Sequence, residues 1–287
     1  MNITGKTKIA GIVGNPVEHS LSPKIHNFLF ERFGIDSVYV PFHIENASDL
    51  ESFVKIFRSA KFLGANITIP YKSEVLKFVD DVDVVSKNID AANTLFVKNG
   101  KLCADTTDFW GFHESLKKDN FDLTNKNIVI LGNGGVAKTI AKTLPIKLEW
   151  RNILPESISV IARNKEKAKN IAESVFSFDE EGAKNVIFNA DIIINCTPVG
   201  MSPNIDESPL DISPINPKTY VFDTIYNPFE TKLLREAKAK GCRTQNGLKM
   251  LIYQALASFY FWTNIDLTEN VDLVLELENL LLKEFNK

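Results

Sequence analysis

Short apolar runs alternate with longer amphipathic stretches through the first part of the chain. Lys8–Val13 and Ser37–Ile44 have the composition of strands, whereas the stretches that begin at Ser22 and span Ala47–Ser59 have the spacing of helices. A third strand follows around Asn66. This alternating order predicts a parallel sheet with helical crossovers, and therefore an α/β fold.

The third strand leads to a lysine. Apolar residues such as Ile67 alternate here with polar ones, so an extended chain places Asn66, Thr68 and, if the extension persists, Lys72 on one face. Pro70 lacks a backbone donor and should end the strand or place it at an edge. A lysine just past a strand end is well placed to point into a cleft, and the alternative is a solvated surface lysine.

The loop after the first strand carries two serines. Ser22 suits the N-cap of the following helix, and Pro23 suits its first helical position. With Ser20, two hydroxyls lie near a positive helix terminus, which suits a carboxylate or phosphate. The alternative is that Ser22 only caps the helix.

A hairpin follows the lysine segment. Asn93–Val97 should be its first strand, with a turn at Asn99-Gly100. The return strand, Lys101–Ala104, leads to Asp108, which also lies near a strand end. Asp108 is therefore a candidate site residue, and the alternative is an N-cap for the next helix.

The second part of the chain has a nucleotide-binding pattern. Asn127–Leu131 is a buried strand that runs into Gly132-Asn133-Gly134-Gly135-Val136 and then a helix. In this context small residues let the backbone approach a pyrophosphate at the helix N-terminus. A tight structural turn is the alternative.

The next predicted strand, Ser157–Ala162, ends without the acidic residue that usually selects NAD. Arg163 and Lys167 stand there instead, and two cations suit a 2′-phosphate. The alternative is a solvated helix start.

Two further strands and several helices complete the chain. The strands are predicted at Ala190–Asn195 and Tyr220–Thr224. Gln254 lies on or beside the inward face of the helix that begins near Leu248, as a buried amide or a ligand contact. A last helix should run from about Thr268 to Phe285.

Composition narrows the function classes. The 287 residues include 33 basic and 36 acidic ones, for a net charge of −3. This balance offers no electrostatic basis for binding nucleic acid or an anionic membrane. The three cysteines are widely spaced, form no metal motif and suit a reducing cytoplasm. No apolar run reaches the ~18–20 residues that span a bilayer.

The ordered set of motifs resembles the shikimate dehydrogenase family over nearly the whole chain. The matching segments are Gly14-Asn15-Pro16, His19–Pro23, His26-Asn27, Asn66–Lys72, Asn93-Thr94, Thr107-Asp108, the glycine turn, Asn195–Pro198, and Gly247–Met250 with Gln254. Each segment alone is weak evidence for the family, whereas the order and spacing of all the segments together are specific to it.

The resemblance implies a two-domain enzyme that reversibly reduces 3-dehydroshikimate to shikimate with NADPH, in aromatic amino acid biosynthesis. Residues 1–108, completed by C-terminal helices in 247–287, should form an N-terminal α/β substrate domain. Residues 109–246 should form a Rossmann-type, doubly wound NADP-binding domain, with the reaction in the cleft between the two.

The resemblance also implies roles for individual residues. The substrate contacts would be Ser20 and Ser22 on the carboxylate, and Thr68, Lys72, Asn93, Asp108, Tyr226 and Gln254 around the ring. The cofactor contacts would be Gly132, Asn133, Gly134, Gly135, Val136, Arg163, Asn164, Lys167, Thr224, Gly247 and Met250.

The expected chemistry needs a proton donor. Hydride transfer to a ketone builds negative charge on the oxygen, and Lys72 can stabilise that charge and supply the proton. Asp108 would orient the lysine and hold a substrate hydroxyl.

The sequence alone leaves other functions open. Within the class, the chain could prefer quinate or an amino analogue, or use NAD. It could also be a noncatalytic nucleotide-binding regulator, although the Lys72 and Asp108 pair argues against that. We expect a small-molecule substrate as the partner, no metal, no nucleic acid, no membrane, and a monomer or homodimer.

Overall fold

The computed structural model describes residues 3–59, 62–146 and 153–285. Backbone contacts divide the chain into two compact units. The first comprises the residues up to Gly111 together with Ile252–Glu284, and the second comprises Phe112–Leu251 and the last residues of the chain. We keep the assignment of a substrate role and an NADP role to these units as a proposal.

Strands and helices alternate along the described residues. In chain order the strands are β1 (Lys8–Gly14), β2 (Ser37–His43), β3 (Phe62–Ile67), β4 (Asp81–Val82), β5 (Thr94–Lys98), β6 (Lys101–Asp105), β7 (Asn127–Leu131), β8 (Ser157–Ile161), β9 (Ser174–Phe176), β10 (Ile192–Asn195), β11 (Tyr220–Asp223) and β12 (Arg243–Gln245). The helices are α1 (Ser22–Arg32), α2 (Ala47–Ser59), α3 (Val84–Ile89), α4 (Asp108–Lys118), α5 (Gly135–Thr143), α6 (Lys165–Ala168), α7 (Glu181–Phe188), α8 (Lys232–Ala239), α9 (Leu248–Thr263) and α10 (Val271–Phe285). A short 3₁₀ helix spans Glu74–Phe78.

The sheet of the first unit is mixed. Its order is β2-β1-β3-β5-β6-β4. The pairs of β1 with β2 and β3 are parallel, which confirms the predicted crossovers, whereas β3–β5 and β5–β6 are antiparallel. The β5–β6 hairpin turns at Asn99 and Gly100, whose φ angles of 52° and 75° confirm the predicted turn. One consequence is that the ends of β1, β3 and β6 and the start of β5 share one edge.

The sheet of the second unit is wholly parallel. Its order is β12-β11-β10-β7-β8-β9, and each described neighbouring pair runs in the same direction. The two central strands, β7 and β10, are nearly continuous apolar runs because both of their faces are buried. This is the doubly wound arrangement that the sequence predicts.

The structure corrects two local predictions around the proposed substrate residues. β3 ends at Ile67, so the extension does not persist and Lys72 lies in a turn rather than on the strand face. The turn is held by nonlocal bonds, because the Asn15 amide donates to the Ile69 carbonyl at 2.9 Å. Ser22 is not the N-cap of α1 but its first residue, and Leu21 precedes it in the capping position.

The last helix also begins later than predicted. The side chain of Asn270 accepts a hydrogen bond from the Leu273 amide at 3.0 Å, as an N-terminal cap does. α10 therefore starts at Val271 rather than near Thr268.

None of the described helices combines the length and apolarity needed to cross a membrane.

Candidate active site

Lys72 and Asp108 form an ion pair at the shared strand edge of the first unit. The Lys72 Nζ donates to Asp108 Oδ2 at 2.5 Å, and the two side chains are only 18% and 10% exposed. Charge-assisted hydrogen bonds with little access to water are the strong ones, so this pair has one preferred geometry. The structure thus brings together two predicted residues that lie 36 positions apart.

Asn93 holds the other side of the carboxylate. Its Nδ2 donates to Asp108 Oδ1 at 2.8 Å, while its Oδ1 accepts from the Thr107 amide at 2.7 Å. Both oxygens of Asp108 are therefore engaged by different donors. This arrangement fixes the carboxylate plane and leaves its remaining lone pairs for a ligand hydroxyl.

Gln254 reaches the same cluster from α9. It is 9% exposed, and its Oε1 lies 3.4 Å from Asn93 Nδ2. Sequence reasoning left open whether this residue is a buried amide or a ligand contact. Its place beside Asn93 puts it among the predicted substrate residues.

Thr68 and the serine loop lie at the same edge. The Thr68 amide donates to the Val13 carbonyl at 2.8 Å, just beyond the ends of β1 and β3. A Cβ at Gly14 would lie 2.3 Å from the Thr68 methyl group, so only glycine allows this approach. The Ser20 hydroxyl accepts from the Ser22 amide at 3.2 Å, which holds both serines at the start of α1.

A buried polar network below these residues was missed by sequence reasoning. It joins Asn66, Thr94, Thr107 and Ser258, each 5% exposed or less. Asn66 and Thr94 occur in matched motifs, and Thr107 directly precedes Asp108, but nothing in the local pattern marks them as a cluster. Ser258 has no signal at all, because it is one polar residue in an apolar helix.

Asp105, at the end of β6, and Asp83 form an acidic pair. The Asp83 carboxylate caps α3 by accepting from the Val85 and Ser86 amides. Desolvation by burial, with a smaller contribution from the negative charge of Asp83, raises the pKa of Asp105 from 3.8 to about 8.

We expect stability to depend on pH through Asp105. Because its pKa is higher in the folded state than in the unfolded state, the folded state retains the proton as pH rises. The free energy of unfolding should fall between about pH 4 and pH 8, by up to ~1.4 kcal/mol per pH unit from this group. As pH rises from 5 to 8, Asp105→Asn should therefore become steadily more stable relative to the parent, as measured by the free energy of unfolding in urea.

Asp49→Asn is the control for that experiment, because it removes an exposed carboxylate of the same unit. The difference between its free energy of unfolding and that of the parent should stay constant with pH. A constant difference for Asp105→Asn as well would show that Asp105 is ionised throughout this pH range.

A cavity of about 780 Å³ opens at the end of the second sheet. Six predicted cofactor residues line it: Gly132, Asn133, Gly134, Arg163, Asn164 and Lys167. Its other lining residues were not predicted: Phe178, Cys196, Thr197, Pro198, Val199, Ser208 and Pro209. The Asn195–Pro198 motif could have indicated the first loop, whereas the Ser208-Pro209 segment carries no recognisable signal.

The glycine turn is shaped to admit a phosphate group. Gly132 has φ +102°, and a Cβ there would lie 2.9 Å from the Thr197 methyl group. Gly134 and Gly135 face open space, and no side chain caps α5, which begins at Gly135 with Val136 in its first turn. Backbone amides at an uncapped helix start suit the pyrophosphate of a dinucleotide.

Two cations, Arg163 and Lys167, also line this cavity. Arg163 and Lys167 are exposed, and neither forms a salt bridge within the part of the chain that the structure describes. The Asn133 side chain donates to the Asn164 carbonyl at 3.2 Å and so joins the glycine turn to this loop. The cavity therefore offers amides for a pyrophosphate and two cations for a further phosphate.

Thr224, Tyr226, Gly247 and Met250 lie elsewhere in the second unit. The Gly247 backbone packs against Thr224, because a Cβ at Gly247 would lie 2.1 Å from the Thr224 carbonyl oxygen. None of the four is among the residues described as lining the cavity, and their ligand roles stay predictions.

The loop that carries Thr224 and Tyr226 is held by Asp223, which sequence reasoning also missed. Asp223 is fully buried and accepts from Asn195 Nδ2 at 3.0 Å, from the Thr231 hydroxyl at 2.7 Å and from the Ile225 amide at 3.0 Å. Desolvation by burial raises its pKa to about 6. These bonds fix the backbone of the loop after β11.

Comparison with protein families gives three matches along the chain. Residues 12–95 match the shikimate dehydrogenase substrate binding domain, residues 115–220 match shikimate / quinate 5-dehydrogenase, and residues 247–267 match the shikimate 5'-dehydrogenase C-terminal domain.

Individual relatives agree with these matches. The shikimate dehydrogenase (NADP(+)) of Pyrococcus furiosus is 41% identical, over 91% of this chain and 92% of its own length. That of Methanococcus maripaludis is 38% identical, over 91% and 93%. The crystal structure of the Thermus thermophilus shikimate 5-dehydrogenase with NADP(H) and shikimate is similar with a TM-score of 0.82, at 29% identity, over 96% of this chain and all of that one.

Proposed function

Because the chain belongs to the shikimate dehydrogenase family, we propose that Lys72 and Asp108 perform the acid–base chemistry of that enzyme. The protein is an oxidoreductase that acts on a CH–OH group, with NADP as its cofactor. Its reaction is the reversible reduction of 3-dehydroshikimate to shikimate. The observation that supports the residue assignment best is the nearly buried Lys72–Asp108 pair at the shared strand edge.

Lys72 would act on the carbonyl oxygen of the substrate. NADPH, when bound, would supply the hydride for the carbonyl carbon. As the carbon–oxygen double bond becomes single, the Lys72 ammonium would stabilise the negative charge on the substrate oxygen and donate one proton to it, which gives the hydroxyl of shikimate. The neutral amine then regains a proton from water.

Asp108 would position both the lysine and the substrate. One of its oxygens accepts from Lys72 and the other from Asn93, so the ammonium keeps a fixed direction. Thr68 and Gln254 would bind ring hydroxyls, and Ser20 and Ser22 would bind the carboxylate at the start of α1. We propose that Tyr226 completes the substrate contacts.

The residues of the cavity in the second unit fit NADP. Gly134, Gly135 and Val136 would hold the pyrophosphate through their amides, and Arg163, Asn164 and Lys167 would hold the 2′-phosphate. Gly132 and Asn133 would shape the turn, Thr224 and Gly247 would contact the cofactor from their loops, and Met250 would do so from the first turn of α9. We also propose a cytoplasmic setting, which the free thiols of Cys103, Cys196 and Cys242 support.

We expect shikimate to be preferred over quinate by at least tenfold in kcat/KM with saturating NADP+. Quinate carries an extra hydroxyl on the carbon that bears the carboxylate, and it needs a partner near the serines. Ser20 already accepts from the Ser22 amide, Ser22 is 4% exposed, and both hydroxyls are assigned to the carboxylate that shikimate and quinate share. A buried hydroxyl without a partner costs ~1–3 kcal/mol, which is about tenfold to hundredfold.

Steady-state kinetics of the oxidation of shikimate and quinate at one pH measures this preference. Parity, or a preference for quinate, would contradict our view of the carboxylate pocket. Turnover of neither compound would overturn the proposed function itself.

A further inference from the structure

Ser258 lies where the strands of the first unit meet helix α9. Its side chain is completely buried. The Oγ donates to the Gln254 carbonyl at 3.0 Å, accepts from Asn66 Nδ2 at 2.9 Å and lies 2.9 Å from the Thr94 hydroxyl. One hydroxyl therefore joins α9 to β3 and to the start of β5.

The same hydroxyl also reaches the segment before Asp108. The Thr107 hydroxyl lies 3.2 Å from Ser258 Oγ and accepts from Asn93 Nδ2 at 3.0 Å. Thr94 donates to Asn93 Oδ1 at 3.0 Å. Ser258 thus contacts both hydroxyls that surround the Asn93 carboxamide, without contacting that carboxamide itself.

The orientation of Asn93 depends on these neighbours. Its Oδ1 faces two donors, the Thr107 amide and the Thr94 hydroxyl, so its Nδ2 is left to face Asp108. A flipped carboxamide would place an N–H group against the Thr107 N–H group and an oxygen against the Asp108 carboxylate. Both contacts are repulsive, so the Thr107 amide and the Asp108 carboxylate select the orientation, and the Thr94 hydroxyl supports it as the second donor to Oδ1.

We propose that Ser258 is a positioning residue for the proton transfer of Lys72, acting through Thr94, Thr107, Asn93 and Asp108. This inference rests on the proposed function of Lys72 and Asp108. Ser258 accepts one bond from Asn66 and another from the Thr107 hydroxyl, which fills its two acceptor sites while its own proton is donated to the Gln254 carbonyl. An alanine there offers none of these partners, so the threonine hydroxyls and Asn93 can adopt other arrangements.

The test is the kinetics of Ser258→Ala with shikimate and NADP+. We expect kcat to fall about tenfold, because a misplaced proton donor affects the chemical step, while KM for shikimate changes less than about threefold. The pH profile of kcat should shift, since the Lys72 ammonium loses a fixed carboxylate. Ser258→Cys, which keeps the volume and a weak donor and acceptor, should recover part of kcat.

Thr263→Ala is the matched control. The Thr263 hydroxyl also donates to the carbonyl four residues earlier, at 2.7 Å, but no strand residue is bound to it. This variant should keep the parent kcat and pH profile. If Ser258→Ala fails to fold, Ser258→Cys replaces it in the comparison with Thr263→Ala, and the expected loss of kcat is then smaller.

A double-mutant cycle separates positioning from general damage. If Ser258 acts through Asp108, Ser258→Ala should lower kcat by less than twofold in an Asp108→Asn background. An equal loss in both backgrounds, an unchanged kcat, or a rise in KM alone would overturn the proposal. An inactive parent would instead reject the proposed function, so the two failures are distinguishable.

Discussion

Replacing Lys72 by alanine will lower kcat for shikimate oxidation by a factor of ~10²–10⁴, the usual contribution of a general acid or base. The reason is that the ammonium held by Asp108 at 2.5 Å is the group placed to stabilise the oxyanion and move the proton. KM for shikimate should change by much less, because the carboxylate is bound by other residues. Steady-state kinetics, with circular dichroism to verify folding, measures the effect.

Lys77→Ala is the control for this experiment. Lys77 is 66% exposed, lies five positions further along the chain and pairs with Glu74, so its loss should leave kcat unchanged. Near-normal turnover in Lys72→Ala would remove the lysine from the mechanism.

Replacing Arg163 by alanine will raise KM for NADP+ about tenfold or more and leave KM for NAD+ nearly unchanged. Within the described residues no acid pairs with Arg163, so its charge is available to the 2′-phosphate that only NADP+ carries. Losing a charge-assisted hydrogen bond costs ~1.5–3 kcal/mol, which sets the size of the effect. The ratio of the two KM values in parent and variant measures it.

Lys165→Ala is the matched variant on the same loop. Its ammonium is bound to Glu180 at 2.8 Å and does not line the cavity, so cofactor preference should stay that of the parent. Equal losses with both cofactors in Arg163→Ala would show that the arginine does not recognise the phosphate.

The family resemblance predicts that Lys72 and Asp108 act together, whereas the local pattern alone places each of them near the end of a strand. They meet because the order of the strands, with the hairpin at Asn99-Gly100, brings those two strand ends to one edge. The glycine turn and the cations after β8 were predictable from the local pattern, because strand, turn and helix follow one another directly.

The rest of the candidate site depends on contacts that local patterns do not encode. Lys72 leaves the strand face because the Asn15 amide binds the Ile69 carbonyl, a bond between two loops. Ser258 is 192 positions from Asn66, its hydrogen-bond partner. Desolvation by burial, with a smaller contribution from nearby Asp83, raises the pKa of Asp105, and the pairing of β4 with β6 sets both. Each is a product of the assembled fold.

The division of the first unit between the two ends of the chain has a consequence for synthesis on the ribosome. Phe112–Leu251 is one uninterrupted stretch, whereas the sheet that is made earlier lacks α9 until the chain beyond Leu248 has been made. Until then Asn66 and Thr94 have no Ser258, and the Leu95 carbonyl lacks the Trp262 indole that donates to it. The sheet of the first unit is therefore made before the second unit but completes its core after it, and its apolar surface stays exposed in the interval.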